Sequence, residues 1–229
     1  MQNLFPLIFI VVISYLIGSI PWGVIISKTF FGFDIRTHGS GNMGSTNVLR
    51  VLGKKWGFIV QILDMLKGIF AVYFVAVLLG KELIDPNNPL FQNQQLIKII
   101  SGISAVLGHI FSIFIGFKGG KGINTAAGML IGIAPIDFGI CAFFFSLAVG
   151  TTGYISFGSI VGALTLPFSM LVRYNLFGIN IPGYFTLIYF LFGLAILIVY
   201  THRTNITRLI EGKENRFSKL QVIKFGKKV

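Results

Sequence analysis

The chain has 229 residues, of which 54% are hydrophobic and 11% charged, with a mean hydropathy of +0.83. Apolar content on that scale cannot be buried in one water-soluble core, so lipid must be the solvent for much of the surface. The 19 Lys and Arg outnumber the 7 Asp and Glu, a balance that suits nucleic acid, anionic lipid head groups or a phosphorylated substrate, and the positions of the charges must choose among them.

Runs long enough to cross about 30 Å of hydrocarbon predict an all-α polytopic membrane protein, a single domain over 1–229. Seven transmembrane helices are expected near 4–27, 56–80, 96–116, 122–134, 136–150, 157–173 and 184–201, some short or broken, with a basic tail over 202–229. The first run is too long for a signal-peptide core and lacks a basic segment before it, so it reads as a retained span. The fourth and fifth are short and meet at Pro135, whose missing N–H favours a break. A re-entrant hairpin therefore stands beside two full spans.

Seven spans put the termini on opposite sides. Fifteen of the Lys and Arg fall on one side, against Lys81, Lys98 and Arg173 on the other. The positive-inside rule then places the N-terminus outside and the tail in the cytoplasm, against anionic lipid. Membrane lipid is thus an expected partner and nucleic acid is not. The stretch Lys81–Gln95 reads as a plain polar connector.

The unusual segments all fall on the cytoplasmic side. The first loop holds His38-Gly-Ser-Gly-Asn-Met-Gly-Ser-Thr-Asn47, followed by Arg50. Its glycines let the backbone turn N–H groups towards an anion, with Ser40, Asn42, Thr46 and Asn47 adding neutral hydrogen bonds. Asp64 and Lys67, three apart inside the second span, are expected to pair and to face the bundle interior. The second loop, Gly108-His109 and then Gly116-Phe-Lys-Gly-Gly-Lys-Gly122, leads into an apolar helix and suits phosphate at a helix N-terminus. It is not a nucleotide P-loop, since Ile115 and Gly122 stand where that motif needs Gly and Ser or Thr.

Cys141, the single cysteine, lies in an apolar run and leaves no disulfide framework or thiol metal site. In the third inner segment, Ser156 and Ser159 are spaced to face one site. At the end of the last span, His202 and Asn205 share a helical face, with Arg208 one step further.

Several motifs are missing. No acidic cluster marks the cytoplasmic face, against magnesium-dependent prenyl and phospho-sugar transferases. No His-x4-Asp signature and no G-x-S-x-G elbow occur. A metal-free, cationic, hydroxyl-rich site remains, suited to two phosphorylated reactants. A transporter of phosphate or a phosphorylated metabolite is the alternative, but the outer halves of the spans are nearly all apolar. A non-catalytic anionic-lipid scaffold leaves the spaced Asn and Ser without a role.

Together these segments resemble the bacterial acyl-phosphate:glycerol-3-phosphate acyltransferases over nearly the whole chain. The resemblance rests on Gly18-Ser-Ile-Pro21, Gly39-Ser-Gly-Asn42 with Gly44 and Thr46-Asn47 through Arg50, Asp64 with Lys67-Gly68, Gly108-His109, Phe117-Lys-Gly-Gly-Lys-Gly122, Tyr154-x-Ser-x-x-Ser-Ile160 and His202-Arg-x-Asn-Ile-x-Arg-Leu209. Met43 and Ser112 stand where the family pattern has proline, Ser45 where it has alanine and Asn124 where it has a small apolar residue.

The resemblance implies a phospholipid-synthesis enzyme of the bacterial cell membrane, with its active site on the cytoplasmic side. It would transfer an acyl group from acyl phosphate to glycerol 3-phosphate, giving lysophosphatidic acid without cofactor or metal. An upstream acyl-phosphate-forming enzyme is a further partner that it allows. Ser40, Asn42, Arg50, Lys118, Lys121, His202 and Asn205 are the expected catalytic residues. Gly41, Thr46, Asn47, His109, Gly119, Gly120, Gly122, Ser156 and Ser159 are expected to bind substrate.

Overall fold

The computed structural model describes residues 4–85, 93–214, 216 and 221. The connector residues 86–92 and most of the basic tail beyond Glu214 lie outside the described residues. The described residues form helices and loops, without strands. Cα packing groups the chain into two compact units, Met1–Ile133 and Ala134–Val229.

In the first unit, α1 (Leu4–Ser19) and α2 (Trp22–Phe31) make up the first expected span. The break between them falls at Ile20-Pro21, where proline cannot continue the N–H ladder. α3 (Ser45–Leu52) is short. α4 (Lys54–Phe70) runs into nine π-helical residues, Ala71–Leu79, so the second span is one continuous helix. Where the ladder changes, Ser101 Oγ donates to the Ala71 carbonyl at 2.6 Å and lies 2.7 Å from Ser14 Oγ.

α5 (Gln95–Ile110) stops short of the 116 expected from hydropathy. A 3-10 turn, Ile113–Ile115, follows, and Gly116 and Phe117 then turn left-handed, at φ +67° and +60°. α6 (Ile123–Ile133) has 11 residues and rises about 16 Å, half of what a crossing needs.

Glycine sets the helix spacing. A Cβ on Gly18 would overlap the Ala105 carbonyl and one on Gly108 the Tyr15 carbonyl, so α1 and α5 touch through backbone. Gly68 and Gly128 do the same for α4 and α6, against the Thr125 and Met65 carbonyls. In lipid, where no hydrophobic force drives helices together, close packing of this kind holds a bundle.

The second unit comprises α7 (Pro135–Thr152), α8 (Ile155–Asn175), α9 (Tyr184–Thr201) and α10 (Arg203–Ile210). Pro135 opens α7 at a position that needs no donor. The buried Asp137 of α7 accepts from Ser169 Oγ at 2.8 Å and Arg173 Nη1 at 2.6 Å of α8, so these charges are paired. Tyr174 and Tyr184 stack at 3.7 Å across the α8–α9 turn.

Among the described residues, six stretches are long and apolar enough to cross a membrane: Phe5–Phe31, Lys54–Leu79, Gln95–Ile115, Pro135–Thr152, Ile155–Asn175 and Tyr184–Thr201. Ile123–Ile133 is the shorter apolar seventh. Phe58, Phe143, Phe168 and Phe185 are exposed on these helices, as lipid-facing aromatics are. The protein is an all-helical, multi-span membrane protein.

Candidate active site

The polar loops of the first unit fold on two buried side chains, Asn47 and Lys67. Asn47, 1% exposed, donates through Nδ2 to the carbonyls of Ile35 (3.2 Å), His38 (3.0 Å) and Asn42 (2.8 Å). Its Oδ1 accepts from the Ser40 N–H at 2.8 Å. Gly39 is left-handed at φ +62°, and a Cβ there would overlap Asn47 Oδ1, so glycine and asparagine specify the turn together. Met43 fills the core beneath it, against Val24, Ile35, Val48 and Val60, which accounts for an apolar side chain at this departure from the family pattern.

Lys67 answers the broken first span. Its Nζ donates to the carbonyls of Gly18 and Ile20, each at 2.9 Å, and lies 2.9 Å from Asp64 Oδ1 and 3.1 Å from His109 Nδ1. Ser112 Oγ donates to the remaining carbonyl, that of Ser19, at 2.5 Å. Lipid offers no water to these groups, so the side chains satisfy the carbonyls that the proline break frees. The expected Asp64–Lys67 pair is present, and it faces the interior.

Above this floor lies a cavity of ≈ 300 Å³ within the first unit, lined by Ser40, Asn42, Thr46, Arg50 and Lys121, with Asp64 and His109 at its base. Asn47 and Gly122 also border it. Lys118, Gly41 and Gly119 instead line a neighbouring cleft with Asp34, Arg36 and Thr37, so the two loop lysines face different spaces. Arg36 is committed to Asp34, with Nη2 at 2.7 Å from Oδ2. The side-chain bond to Arg36 holds the Asp34 carboxyl well below the usual carboxylate range, helped by the Arg36 amide and Lys28.

The expectation that the loop glycines offer free amides meets a different geometry. Gly119 N–H donates to the Ile110 carbonyl and Gly120 N–H to that of His109, each at 3.0 Å, while Gly41 N–H donates to His38 at 3.1 Å. A Cβ on Gly120 would overlap His109 Nε2. Gly119 and Gly120 close their loop over the end of α5, and the cationic groups left facing the cavity are Lys121 and Arg50.

Among the lining residues that sequence reasoning did not pick out for binding are Ser45 and Asn124. Asn124 Nδ2 donates to Ser45 Oγ at 2.9 Å, joining the starts of α3 and α6. The signal was present: both are polar where the family pattern is not.

In the second unit, Glu214 is the organiser that the sequence reading missed. It accepts from Ser156 Oγ at 3.0 Å, Asn205 Nδ2 at 2.9 Å and Arg208 Nε at 2.7 Å. Its pKa is lowered, first by Arg208 and then by Asn205. His202 sits at the α9–α10 junction with Nδ1 2.8 Å from the Ile198 carbonyl. That carbonyl can only accept, so Nδ1 carries a proton and, in the neutral ring, Nε2 keeps its lone pair. Ser159 Oγ donates to the Ile155 carbonyl at 3.0 Å.

A family model described as glycerol-3-phosphate acyltransferase matches residues 8–212. The chain belongs to that family. A glycerol-3-phosphate acyltransferase of Chlorobium phaeobacteroides is 43% identical over 96% of this chain and 98% of its own, and that of Chlorobaculum tepidum is 43% identical over 96% and 97%. A crystal structure of PlsY, an integral membrane glycerol 3-phosphate acyltransferase, in its glycerol 3-phosphate form is 34% identical. It covers 93% of this chain and 96% of its own, with a TM-score of 0.67. The same enzyme in its lysophosphatidic acid form gives a TM-score of 0.68 at 33% identity, over 94% and 97%. The protein is an integral membrane glycerol-3-phosphate acyltransferase.

Proposed function

We propose that the enzyme uses acyl phosphate as donor and forms lysophosphatidic acid and inorganic phosphate, on the cytoplasmic face of the bacterial cell membrane. The 1-hydroxyl oxygen of glycerol 3-phosphate attacks the acyl carbonyl carbon, and the bond from that carbon to the phosphate oxygen breaks. The observation that carries this reading is the cavity with Arg50, Lys121, Ser40 and Thr46 around one space. Such a set suits a phosphorylated acceptor, with Lys121 offsetting the charge that develops on the donor.

Within the first unit, Arg50, Ser40 and Thr46 hold the acceptor phosphate, and Asn42 orients the reacting carbonyl. Lys118 draws anions to the neighbouring cleft. From the second unit, Ser156, Ser159, His202 and Asn205 are assigned to substrate handling on the family resemblance. No metal or cofactor has a step in this scheme.

The departing phosphate takes the hydroxyl proton itself. His109 Nδ1 is already engaged, with the Lys67 ammonium at 3.1 Å and Asp64 Oδ1 at 3.5 Å, so that nitrogen is not open to the substrate hydroxyl. The protein's share is orientation and charge stabilisation.

The test is a donor comparison on the purified chain with labelled glycerol 3-phosphate. Acyl phosphate is expected to give labelled lysophosphatidic acid, and acyl-CoA or acyl carrier protein none. Product from a thioester alone overturns the donor assignment.

A further inference from the structure

The cavity in the first unit is rich in donors and poor in free acceptors. Arg50 and Lys121 only donate, and the Ser40 and Thr46 hydroxyls are free to donate to a phosphate. The acceptors are mostly committed: Asn42 Oδ1 to the Gly44 N–H at 2.8 Å, Asn47 Oδ1 to the Ser40 N–H at 2.8 Å, and Asp64 Oδ1 to Lys67 at 2.9 Å. Asn124 differs. Its Nδ2 is fixed on Ser45 Oγ at 2.9 Å, and its Oδ1 accepts no hydrogen bond among the described residues.

A neutral carbonyl oxygen is the wrong group for a phosphate and the right one for an alcohol O–H. Glycerol 3-phosphate carries one hydroxyl that reacts and a secondary hydroxyl that does not. The secondary hydroxyl needs an acceptor once it leaves water, since an unpaired buried polar group is costly. We infer that Asn124 and Ser45 form a specificity element for that secondary hydroxyl: Asn124 Oδ1 accepts a hydrogen bond from it, and Ser45 positions the amide. The inference rests on the proposed reading of this cavity as the site of the phosphorylated acceptor.

Binding separates the two claims without turnover. Titration calorimetry on the detergent-purified full chain would compare glycerol 3-phosphate with 3-hydroxypropyl phosphate, which lacks only the secondary hydroxyl. Wild type is expected to bind glycerol 3-phosphate about three- to tenfold more tightly, the span of one net neutral hydrogen bond. In Asn124→Ala the ratio should fall to about one while the Kd for 3-hydroxypropyl phosphate stays put, which also shows an intact cavity. Ser45→Ala should give an intermediate ratio. Equal binding of both ligands by wild type, a ratio that survives in both variants, or an equal loss for both ligands in Asn124→Ala overturns the inference and leaves the acceptor reading standing. Binding of neither ligand by wild type overturns both.

Discussion

Lys67 donates to the Ile20 carbonyl at 2.9 Å, and through this contact the break in the first span rests on the floor of the polar cavity. The same ammonium is bound to Asp64, and both side chains are at most 3% exposed. Replacing Lys67 with Met strands the Asp64 carboxylate and two carbonyls together. Thermal unfolding in detergent should register a loss of about 3 kcal/mol or more, the usual result of breaking a buried pair. Asp64→Asn with Lys67→Met should recover part of that loss, and wild-type stability in the single variant contradicts the role.

Two alanine substitutions separate glycines that set helix spacing from glycines that do not. A Cβ on Gly128 overlaps the Met65 carbonyl, whereas one on Gly139 meets nothing within 4 Å. Gly128→Ala should therefore force α4 and α6 apart and lower the unfolding temperature. Gly139→Ala should be neutral or stabilising by up to about 1 kcal/mol, the helix propensity difference.

Arg50 and Asn47 border the same cavity but differ in kind. Arg50 faces it from the exposed side of α3, and Asn47 is buried with four bonds to the loop backbone. Arg50→Ala should cost about 10²-fold or more in kcat/KM with an unchanged unfolding midpoint. Asn47→Ala should lower both, because the loop loses its anchor.

Asp34 supplies a pH test. Its folded pKa lies below the unfolded value, chiefly because of the Arg36 side-chain bond. Its contribution to stability is thus full above about pH 4 and fades as the pH falls through the folded pKa. Asp34→Asn should be less stable than wild type at pH 7, by about 1 kcal/mol or less given the exposure of the pair. The gap should close in acid, and a gap that widens there contradicts the assignment.

Much of the fold was legible in hydropathy, which reads lengths well but not interruptions. The run 4–27 appears unbroken although Pro21 splits it, because the carbonyls of Gly18, Ser19 and Ile20 are satisfied by Lys67 and Ser112, far away in sequence. The early end of α5 at Ile110 was hidden by the apolar residues Phe111–Ile115. At the site, residue types pointed to a cationic, hydroxyl-rich cavity, and Arg50, Lys121, Ser40 and Thr46 do border one. Sequence could not reveal that the Gly119 and Gly120 amides are spent on α5. Nor could it show that Glu214 gathers Ser156, Asn205 and Arg208, since tertiary partners leave no local pattern.

The proton's destination can be tested at His202, whose Nδ1 is held by Ile198. Substrate-assisted transfer predicts that His202→Ala loses activity without rescue by added imidazole. Normal substrate binding, turnover down by several orders of magnitude and recovery in imidazole would instead make His202 the base.

The most direct measurement is stoichiometry with the purified chain. Palmitoyl phosphate and glycerol 3-phosphate, in the presence of a chelator, should give lysophosphatidic acid and inorganic phosphate in equal amounts, and Lys121→Ala should abolish both. No product from acyl phosphate, or a requirement for acyl-CoA or magnesium, would contradict the account.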